Sequence, residues 1–582
     1  MGSIKDAENT TFAIQDAPVE NLRPLRVVLI GTGFSGILAA IRIPQRLKNI
    51  DLVVYDKNDG VGGVWWVNRY PGVACDVPAH SYQYTFEPNP NWSNFYAPGP
   101  EIQQYLQSAA DKYGAMRFIK LQHRVDMCIW DAAQKKWNIT ITNLITGETF
   151  QDAADILVSA RGGLNDVAWP NISGLDKFTG KLLHSAEWDE SYNFQNRKVG
   201  VIGNGSSAIQ IVPQLQSLEG ISLKCFHRSP TWITAGFGDA AMVKLGLNPS
   251  KTEFSQEQRE SFEKDATAYL KMRKVIEDSG NLIQESSFLG SDMQRRFSDM
   301  FKATMAEKLA KRPDIFKNLL PNFAPGCRRL TPGKGFLEAL TNDNVEVINE
   351  TITAVTETGI ALESGRQVEL DALVCATGFN VSAAPTFKVV GRDGLTLQQR
   401  WLPYPESYLG VAVDGFPNFL MISGPNSGVG FGSLTKMIEA QTDYVVKVIR
   451  KLQKEGYATV EVKPERLADF QQYIGAYFKN TIYMDECKSW YRVEGPNGKW
   501  VFVLWPGSTL HALEVLRSPR WEDFSFETTN PSGNLFAWLG NGSSLTQTDG
   551  DPSWYLNPEE IDYPLPGHPE DAPQNKARPW SH

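Results

Sequence analysis

The run Phe178–Ala208 decides the fold. It opens F-T-G-K-L-L-H-S-A-E-W-D over Phe178–Asp189, passes a polar spacer, and continues K-V-G-V-I-G-N-G-S-S-A over Lys198–Ala208. Its second half is a buried-strand pattern, Val199–Ile202, meeting a glycine turn at Gly203, Asn204 and Gly205 and then the small residues Ser206, Ser207 and Ala208. Such a turn brings backbone close to a diphosphate and aims the free N–H groups of a helix N-terminus at it. A near-identical turn, G-T-G-F-S-G, places Gly31, Gly33 and Gly36 behind the strand L-R-V-V-L-I of Leu25–Ile30. Two dinucleotide folds are therefore expected in one chain, and Phe178–Ala208 marks the hand-over between them.

Each turn has the same ruler downstream. After the first, the strand Asp51–Tyr55 ends at Asp56, twenty residues past Gly36, where an acid accepts hydrogen bonds from ribose hydroxyls. After the second, Ile221–Phe226 leads to Arg228, twenty residues past Ala208 and next to Ser229. A carboxylate there would repel a 2′-phosphate, whereas a guanidinium beside a hydroxyl binds it. The first site thus suits FAD and the second NADPH. Between them Gly60–Asp76 reads G-V-G-G-V-W-W-V-N-R-Y-P-G-V-A-C-D, with paired glycines for close approach and Trp65, Trp66 and Tyr70 as flat apolar walls for an isoalloxazine.

Composition bounds the alternatives. At 582 residues, 42% hydrophobic and 21% charged, the chain is an ordinary globular protein of two or three domains. A net charge of −9 without a long basic block argues against nucleic acid. No apolar run approaches the ~18 residues of a membrane span. The start M-G-S-I-K-D-A-E-N has no apolar signal core, so an intracellular, cytoplasmic protein is expected. Cys75, Cys128, Cys225, Cys327, Cys375 and Cys487 stand singly and read as reduced thiols. The seven histidines lack metal-ligand spacing, so no metal is expected, and no G-x-S-x-G elbow occurs.

Two long motifs carry a resemblance. Phe178, Gly180, His184, Trp188 and Asp189 fit F-x-G-x-x-x-H-x-x-x-W-[P/D]. Gly62, Gly63, Trp65, Tyr70, Pro71, Gly72 and Asp76 fit G-G-x-W-x-x-x-x-Y-P-G-x-x-x-D. With A-T-G-F at Ala376–Phe379 and G-P-N-S at Gly424–Ser427, the chain resembles the Baeyer-Villiger monooxygenases, class B flavoprotein monooxygenases with two dinucleotide-binding domains, over roughly Leu25–Glu522.

The resemblance implies FAD, NADPH and molecular oxygen, and insertion of one oxygen atom beside a ketone carbonyl by way of a flavin peroxide, giving an ester or lactone. It adds Val64, Tyr82, Val125 and Asp76 to Gly31, Gly33, Gly36, Asp56, Gly63, Trp65 and Trp66 on the FAD side. On the NADP side it adds Gln210, Arg328 and Trp490 to Gly203–Ala208, Arg228 and Ser229. It also implies that Arg329, permanently protonated, stabilises the anions of the reaction, with Asp76 holding it in place. His184 is read as structural or coupling. Two departures stand out: Arg328 replaces the family's usual lysine, and S-A-R-G-G-L-N at Ser159–Asn165 replaces A-T-G, placing Arg161 near a domain crossover.

The expected fold is α/β, with two Rossmann-like dinucleotide-binding domains and a helical insertion in the NADP domain. Its parts are a loose arm over 1–22, a discontinuous FAD domain over 23–165 and 371–582, and an NADP domain over 166–370 with the insertion at about 240–325. In the insertion Ser255 and Gln258 make a capping box, followed by the stripes Phe262, Ala266, Tyr269, Met272, Ile276 and Met293, Phe297, Phe301, Met305, Leu309. Ala372–Ala376 reads as a strand returning to the FAD domain. Lys488–Tyr491 and the following V-E-G-P-N-G-K resemble a mobile loop over NADP, with Gly495 and Gly498 as hinges. The expected partner is a small-molecule ketone, cyclic or polycyclic, with no nucleic acid, no membrane span and no obligate protein partner. Three rivals stay in view. One is a flavin monooxygenase that oxidises nitrogen or sulfur; another is a non-catalytic NADP-binding regulator. The third, a flavin disulfide reductase, is disfavoured because no redox cysteine pair is evident.

Overall fold

Two parallel sheets built on one plan organise the residues that the computed structural model describes, 12–556 apart from 21, 382 and 549. The first sheet runs Phe419–Met421, Ile156–Ser159, Leu25–Ile30, Ile50–Tyr55, Ile119–Lys120. The second runs Lys181–His184, Ala372–Cys375, Lys198–Ile202, Ser222–Phe226, Val345–Ile348. All neighbours pair in parallel. Parallel sheets bury both faces of their strands. The unbroken aliphatic run Val27, Val28, Leu29 is accordingly fully buried, each side chain contributing roughly 1.5–3 kcal/mol.

The likeness extends to the turns. Gly31 (φ +105°) lies under the Ala160 carbonyl and Gly203 (φ +123°) under that of Ala376. A Cβ would come within 2.7 Å of the first oxygen and 2.5 Å of the second. In each module, the chain leaving the strand beside the central one crosses the glycine turn. This symmetry corrects the reading of Ala372–Ala376. The strand pairs with Lys181–His184 and Lys198–Ile202 in the second sheet, as the counterpart of Ile156–Ser159. The chain rejoins the first sheet only at Phe419–Met421, so the boundary drawn at 370/371 cuts into the second module.

The insertion is helical, with a break inside its first stripe. Ser255 and Gln258 form the capping box of Gln256–Lys264. The backbone then leaves helical geometry at Asp265 (φ −122°, ψ 85°), whose side chain caps Ala266–Asn281. Ala266 is consequently exposed, whereas Tyr269, Met272 and Ile276 are buried. The second stripe lies on Asp292–Lys308, with Phe301, Met305 and the following Leu309 buried.

Two further expectations change. Residues 1–11 and 21 of the expected loose arm, and 557–582 of the tail, lie outside the described residues, but Asp16–Glu20 is docked. Val19 N donates to Ser543 O (3.0 Å), Asn541 Nδ2 to Asp16 Oδ1 (2.9 Å) and Leu545 N to Glu20 Oε2 (2.8 Å). The segment expected to be a mobile loop contains a β-hairpin of Arg492–Gly495 and Gly498–Val501. Gly495 and Gly498 face each other across its turn, and the Tyr404 hydroxyl accepts from Asn497 N (2.9 Å) and donates to Gly498 O (3.1 Å).

The glycines divide into packing and open positions, which a pair of substitutions separates. A Cβ at Gly36 would stand 1.8 Å from Gly31 O, whereas one at Gly205 meets nothing within 4 Å. Gly36→Ala is expected to lower the unfolding free energy by about 3 kcal/mol or more. Gly205→Ala should leave it within about 0.5 kcal/mol. Urea unfolding of both variants checks this.

Candidate active site

Both glycine turns end at helix N-termini that the chain itself leaves open. Gly33 precedes Phe34–Arg46 and Gly205 precedes Ser206–Gln216; neither helix has a side-chain cap or an acid in its first turn. Their orphan N–H groups are thus free for an anion. At the first turn Gly33 faces Gly63, where a Cβ on Gly63 would lie 2.9 Å from Gly33 Cα, and Val64 begins the short helix Val64–Val67. Asp56 is buried beside this turn. Its Oδ2 accepts from Thr32 N and Oγ1 (2.7 Å each) and its Oδ1 from Asn58 N (2.8 Å). His123 N donates to Asp56 O (2.8 Å), which brings the buried Val125 alongside.

The expected aromatic wall is divided. Trp65 Nε1 donates to the Tyr82 hydroxyl (3.3 Å), and Tyr82 meets the edge of Phe34 with centroids 4.9 Å apart. Burial pushes the Tyr82 hydroxyl well above its usual pKa. Trp66 packs on Gly60, donates to Asp59 Oδ1 (2.8 Å) and lies under Arg69. Tyr70 joins the core of the second module: its hydroxyl donates to Gln210 Oε1 (2.9 Å), and Gln210 Nε2 donates to Ala74 O (3.0 Å). A Cβ on Gly72 would sit 2.8 Å from Gln210 O. Tyr70, Gly72 and Gln210 therefore clasp the modules together.

At the second turn Gly205 and Ser206 are exposed, Ser207 half-buried and Ala208 buried. Asn204 Nδ2 donates to Ser229 O (2.5 Å), and Arg328 Nη2 to Pro230 O (2.6 Å). Burial lowers the Arg328 pKa. Arg228 is exposed and has no hydrogen bond or ion pair to another described residue. A free cation and a serine thus share one loop beside the open turn, and a second arginine from a distant segment binds that loop at Pro230.

Arg329 and Asp76 meet across the chain, 253 residues apart in sequence. Arg329 Nη2 donates to Asp76 Oδ1 (2.6 Å) and Nε to Oδ2 (3.2 Å), with the side chains 30% and 23% exposed. The guanidinium carbon lies 5.0 Å from the Phe237 ring centroid. Burial alone lowers the Arg329 pKa, but Asp76 and its other neighbours outweigh it and hold the pKa above the ordinary value. The buried Tyr491 hydroxyl is close enough to interact with Arg329, and the adjacent Trp490, 37% exposed, packs on the Tyr491 ring (4.7 Å).

The long fingerprint lies elsewhere. Phe178 packs under Gly180, where a Cβ would meet its ring at 2.6 Å. Lys181 and Ser191 bind Asp189, Lys181 foremost in holding its pKa at about 2, and Trp188 stacks on Phe194 (5.4 Å). His184 is fully buried against Trp169, its pKa lowered by burial, and its Nδ1 accepts from Ala186 N (3.1 Å). The neighbouring linkers pair with each other, Ala168 N donating to Gly378 O (3.1 Å) and Thr377 Oγ1 to Ala168 O (2.7 Å). Arg161 fastens them by donating to Ala383 O (2.8 Å) and pairing with Asp166 (3.5 Å).

A family model described as an NAD(P)-binding Rossmann-like domain matches residues 29–98. The chain is 36% identical to the FAD-binding monooxygenase tazF of Aspergillus terreus, over 96% of this chain and 99% of that one. It is 33% identical to a Baeyer-Villiger monooxygenase of Pseudomonas aeruginosa, over 90% of this chain and 95% of the relative. The chain belongs to the Baeyer-Villiger monooxygenases. A solved oxidised steroid monooxygenase bound to NADP superimposes with a TM-score of 0.72 at 26% identity, covering 87% of this chain and all of the other.

Sequence reasoning missed several groups of this monooxygenase. Phe34, Phe237 and Tyr491 carry no spacing signal. The cysteines were expected to be single reduced thiols, but Cys327 and Cys487 form a disulfide, while Cys75, Cys128, Cys225 and Cys375 are buried and free. Among the described residues no helix is long and apolar enough to cross a membrane, and no cluster of His, Cys, Asp or Glu is arranged to hold a metal.

His227, beside Arg228, is 4% exposed with both ring nitrogens unpartnered, and burial pushes its pKa down to about 4 from the ordinary 6.5. Below pH 6.5 the unfolded chain therefore holds a proton that the folded one refuses. The stability this group permits above that pH is lost as pH falls, by up to ~1.4 kcal/mol per pH unit until about pH 4. His227→Phe is expected to flatten the pH dependence between 6.5 and 4.5 by about that slope, read by urea unfolding at several pH values.

Proposed function

We propose that this chain uses NADPH and molecular oxygen to insert one oxygen atom beside the carbonyl of a cyclic or polycyclic ketone, forming an ester or lactone. The observation that carries this reading is the Arg329–Asp76 pair, which interacts with Tyr82 beside Phe34 of the first turn's helix and whose Asp76 stands two residues past Ala74, whose carbonyl Gln210 of the second turn's helix binds. The residues fit the groups required. Gly31, Gly33, Gly36, Gly63, Val64, Trp65, Asp56, Asp76, Tyr82 and Val125 would hold FAD. Gly203, Asn204, Gly205, Ser206, Ser207, Ala208, Gln210, Arg228, Ser229, Arg328 and Trp490 would hold NADP. Bound FAD, once reduced by NADPH, supplies the activated oxygen.

The chain's own part is electrostatic. Arg329 cannot lose its proton at working pH, so it presents a fixed cation to the negative charge that develops on the ketone oxygen. The two hydrogen bonds it donates to Asp76 fix the plane of that cation. The buried Tyr491 limits water around it, which strengthens the attraction. The steroid monooxygenase likeness supports a polycyclic ketone, and reliance on NADPH supports an intracellular setting.

Arg329→Ala is expected to retain the flavin and its reduction by NADPH while ester formation falls by about 10³-fold. Product analysis with a ketone and a sulfide in parallel checks both the residue and the reaction class; normal ester yield from the variant, or oxidation of the sulfide alone, would overturn them. Arg228→Ala is expected to raise the KM for NADPH by about 30-fold or more with little change for NADH, since it removes charged contacts to the 2′-phosphate only. Steady-state kinetics with both nucleotides measures this.

A further inference from the structure

The Cys327–Cys487 disulfide spans 160 residues of chain and brings the two Cα atoms to 6.3 Å. Cys327 immediately precedes Arg328 and Arg329, and Cys487 immediately precedes Lys488–Tyr491 and the hairpin. One covalent bond thus joins the segment bearing the cation at the centre of the site to the segment bearing Trp490 and Tyr491.

The surroundings are arranged around this bond. Asp485 Oδ2 accepts from Ala324 N (2.7 Å). Arg492, 7% exposed, donates to the carbonyls of Tyr483, Asp485 and Cys487, and its Nη1 lies 3.8 Å from Cys327 Sγ. A buried guanidinium beside that sulfur stabilises it as a thiolate, hence as a leaving group. Cys327 is wholly buried, whereas Cys487 is half-buried between the exposed Glu486 and Lys488. The pair therefore has one sulfur that a reagent reaches and one that an internal cation receives. In a reducing compartment a disulfide that forms is typically transient and redox-sensing.

We propose that Cys327 and Cys487 are positioning residues forming a redox-reversible brace. Closed, it holds Arg329 and Lys488–Val501 as one body over the nucleotide; open, it releases the second from the first. The inference rests on the cofactor arrangement and intracellular setting proposed above. Opening takes two electrons from a dithiol. One of its sulfurs attacks Cys487 Sγ, Cys327 leaves as a thiolate beside Arg492, and the second sulfur displaces Cys487, so that the reductant departs as its own disulfide. Closing takes hydrogen peroxide. The Cys487 thiolate becomes a sulfenic acid with release of hydroxide, and Cys327 attacks it and releases the second oxygen, both protonated to water.

The test uses the flavin-loaded enzyme prepared without reductant, the same protein after dithiothreitol treatment and desalting, and Cys327→Ser/Cys487→Ser. Peptide mass mapping is expected to find the 327–487 link in the first sample only. Amide exchange over 488–501 is expected to rise about tenfold on reduction and in the double variant. Hydrogen peroxide released per NADPH should rise at least about threefold, as water and oxygen reach a loosened site, while the rate of flavin reduction changes less than twofold. Peroxide re-oxidation should restore the wild type alone, and dithiothreitol should leave the double variant unchanged. Absence of the linked peptide overturns the brace, as does a link whose reduction alters neither exchange nor peroxide release. If exchange responds but no ketone yields an ester in either state, the brace stands and the reaction assignment falls.

Discussion

The contact between Arg329 and Asp76 joins a loop of one module to a segment of the other, and the rest of the site depends on its geometry. A half-buried charge without a partner costs several kcal/mol, so the pair holds its place only because both backbones are fixed. Asp76 is fixed by the clasp of Tyr70, Gly72 and Gln210. Arg329 is fixed from the opposite side, where Ala324 N and Cys327 are tied to the chain around Asp485. The neighbouring arginines serve different ends. Arg328 turns to Pro230 and the open second turn, and Arg329 to Asp76.

The two sheets repeat one solution to one problem. A glycine turn that exposes its N–H groups to a ligand must be backed by something rigid. In both modules that backing is the carbonyl end of the adjacent parallel strand, Ala160 over Gly31 and Ala376 over Gly203. The chain then runs on into the linkers, which pair at Val167 and Phe379. Arg161 in place of a smaller residue adds a buried cross-tie to Asp166 and Ala383 beside these paired linkers.

What was legible in the sequence is what local backbone chemistry dictates. Gly31 and Gly203 need positive φ, Asp56 and Arg228 follow at a spacing set by one helix and one strand, and Ser255 with Gln258 caps a helix within three residues. Ala372–Cys375 looks the same whichever sheet receives it, because membership is a matter of pairing partners far away in the chain. Trp66 and Trp65 are adjacent in sequence but diverge in space, since a short helix turns successive side chains by about a hundred degrees. The pairing of Cys327 with Cys487 leaves no trace in spacing at all, since only the folded chain brings them together.

The motifs that are most diagnostic of the family hold the protein's joints more than its chemistry. His184 and Asp189 build an edge strand and its linker, and buried Asn426 of G-P-N-S donates to Val501 O (2.9 Å) and Leu504 O (3.0 Å), gripping the chain just past the hairpin. The same is true of the helical insertion on its far side. Gln284 and Ser287 share a small cavity with Phe431, Tyr477 and Tyr483, and Tyr483 lies within the electrostatic reach of Arg329. Packing between the insertion and the C-terminal half therefore shapes the space beside the cation.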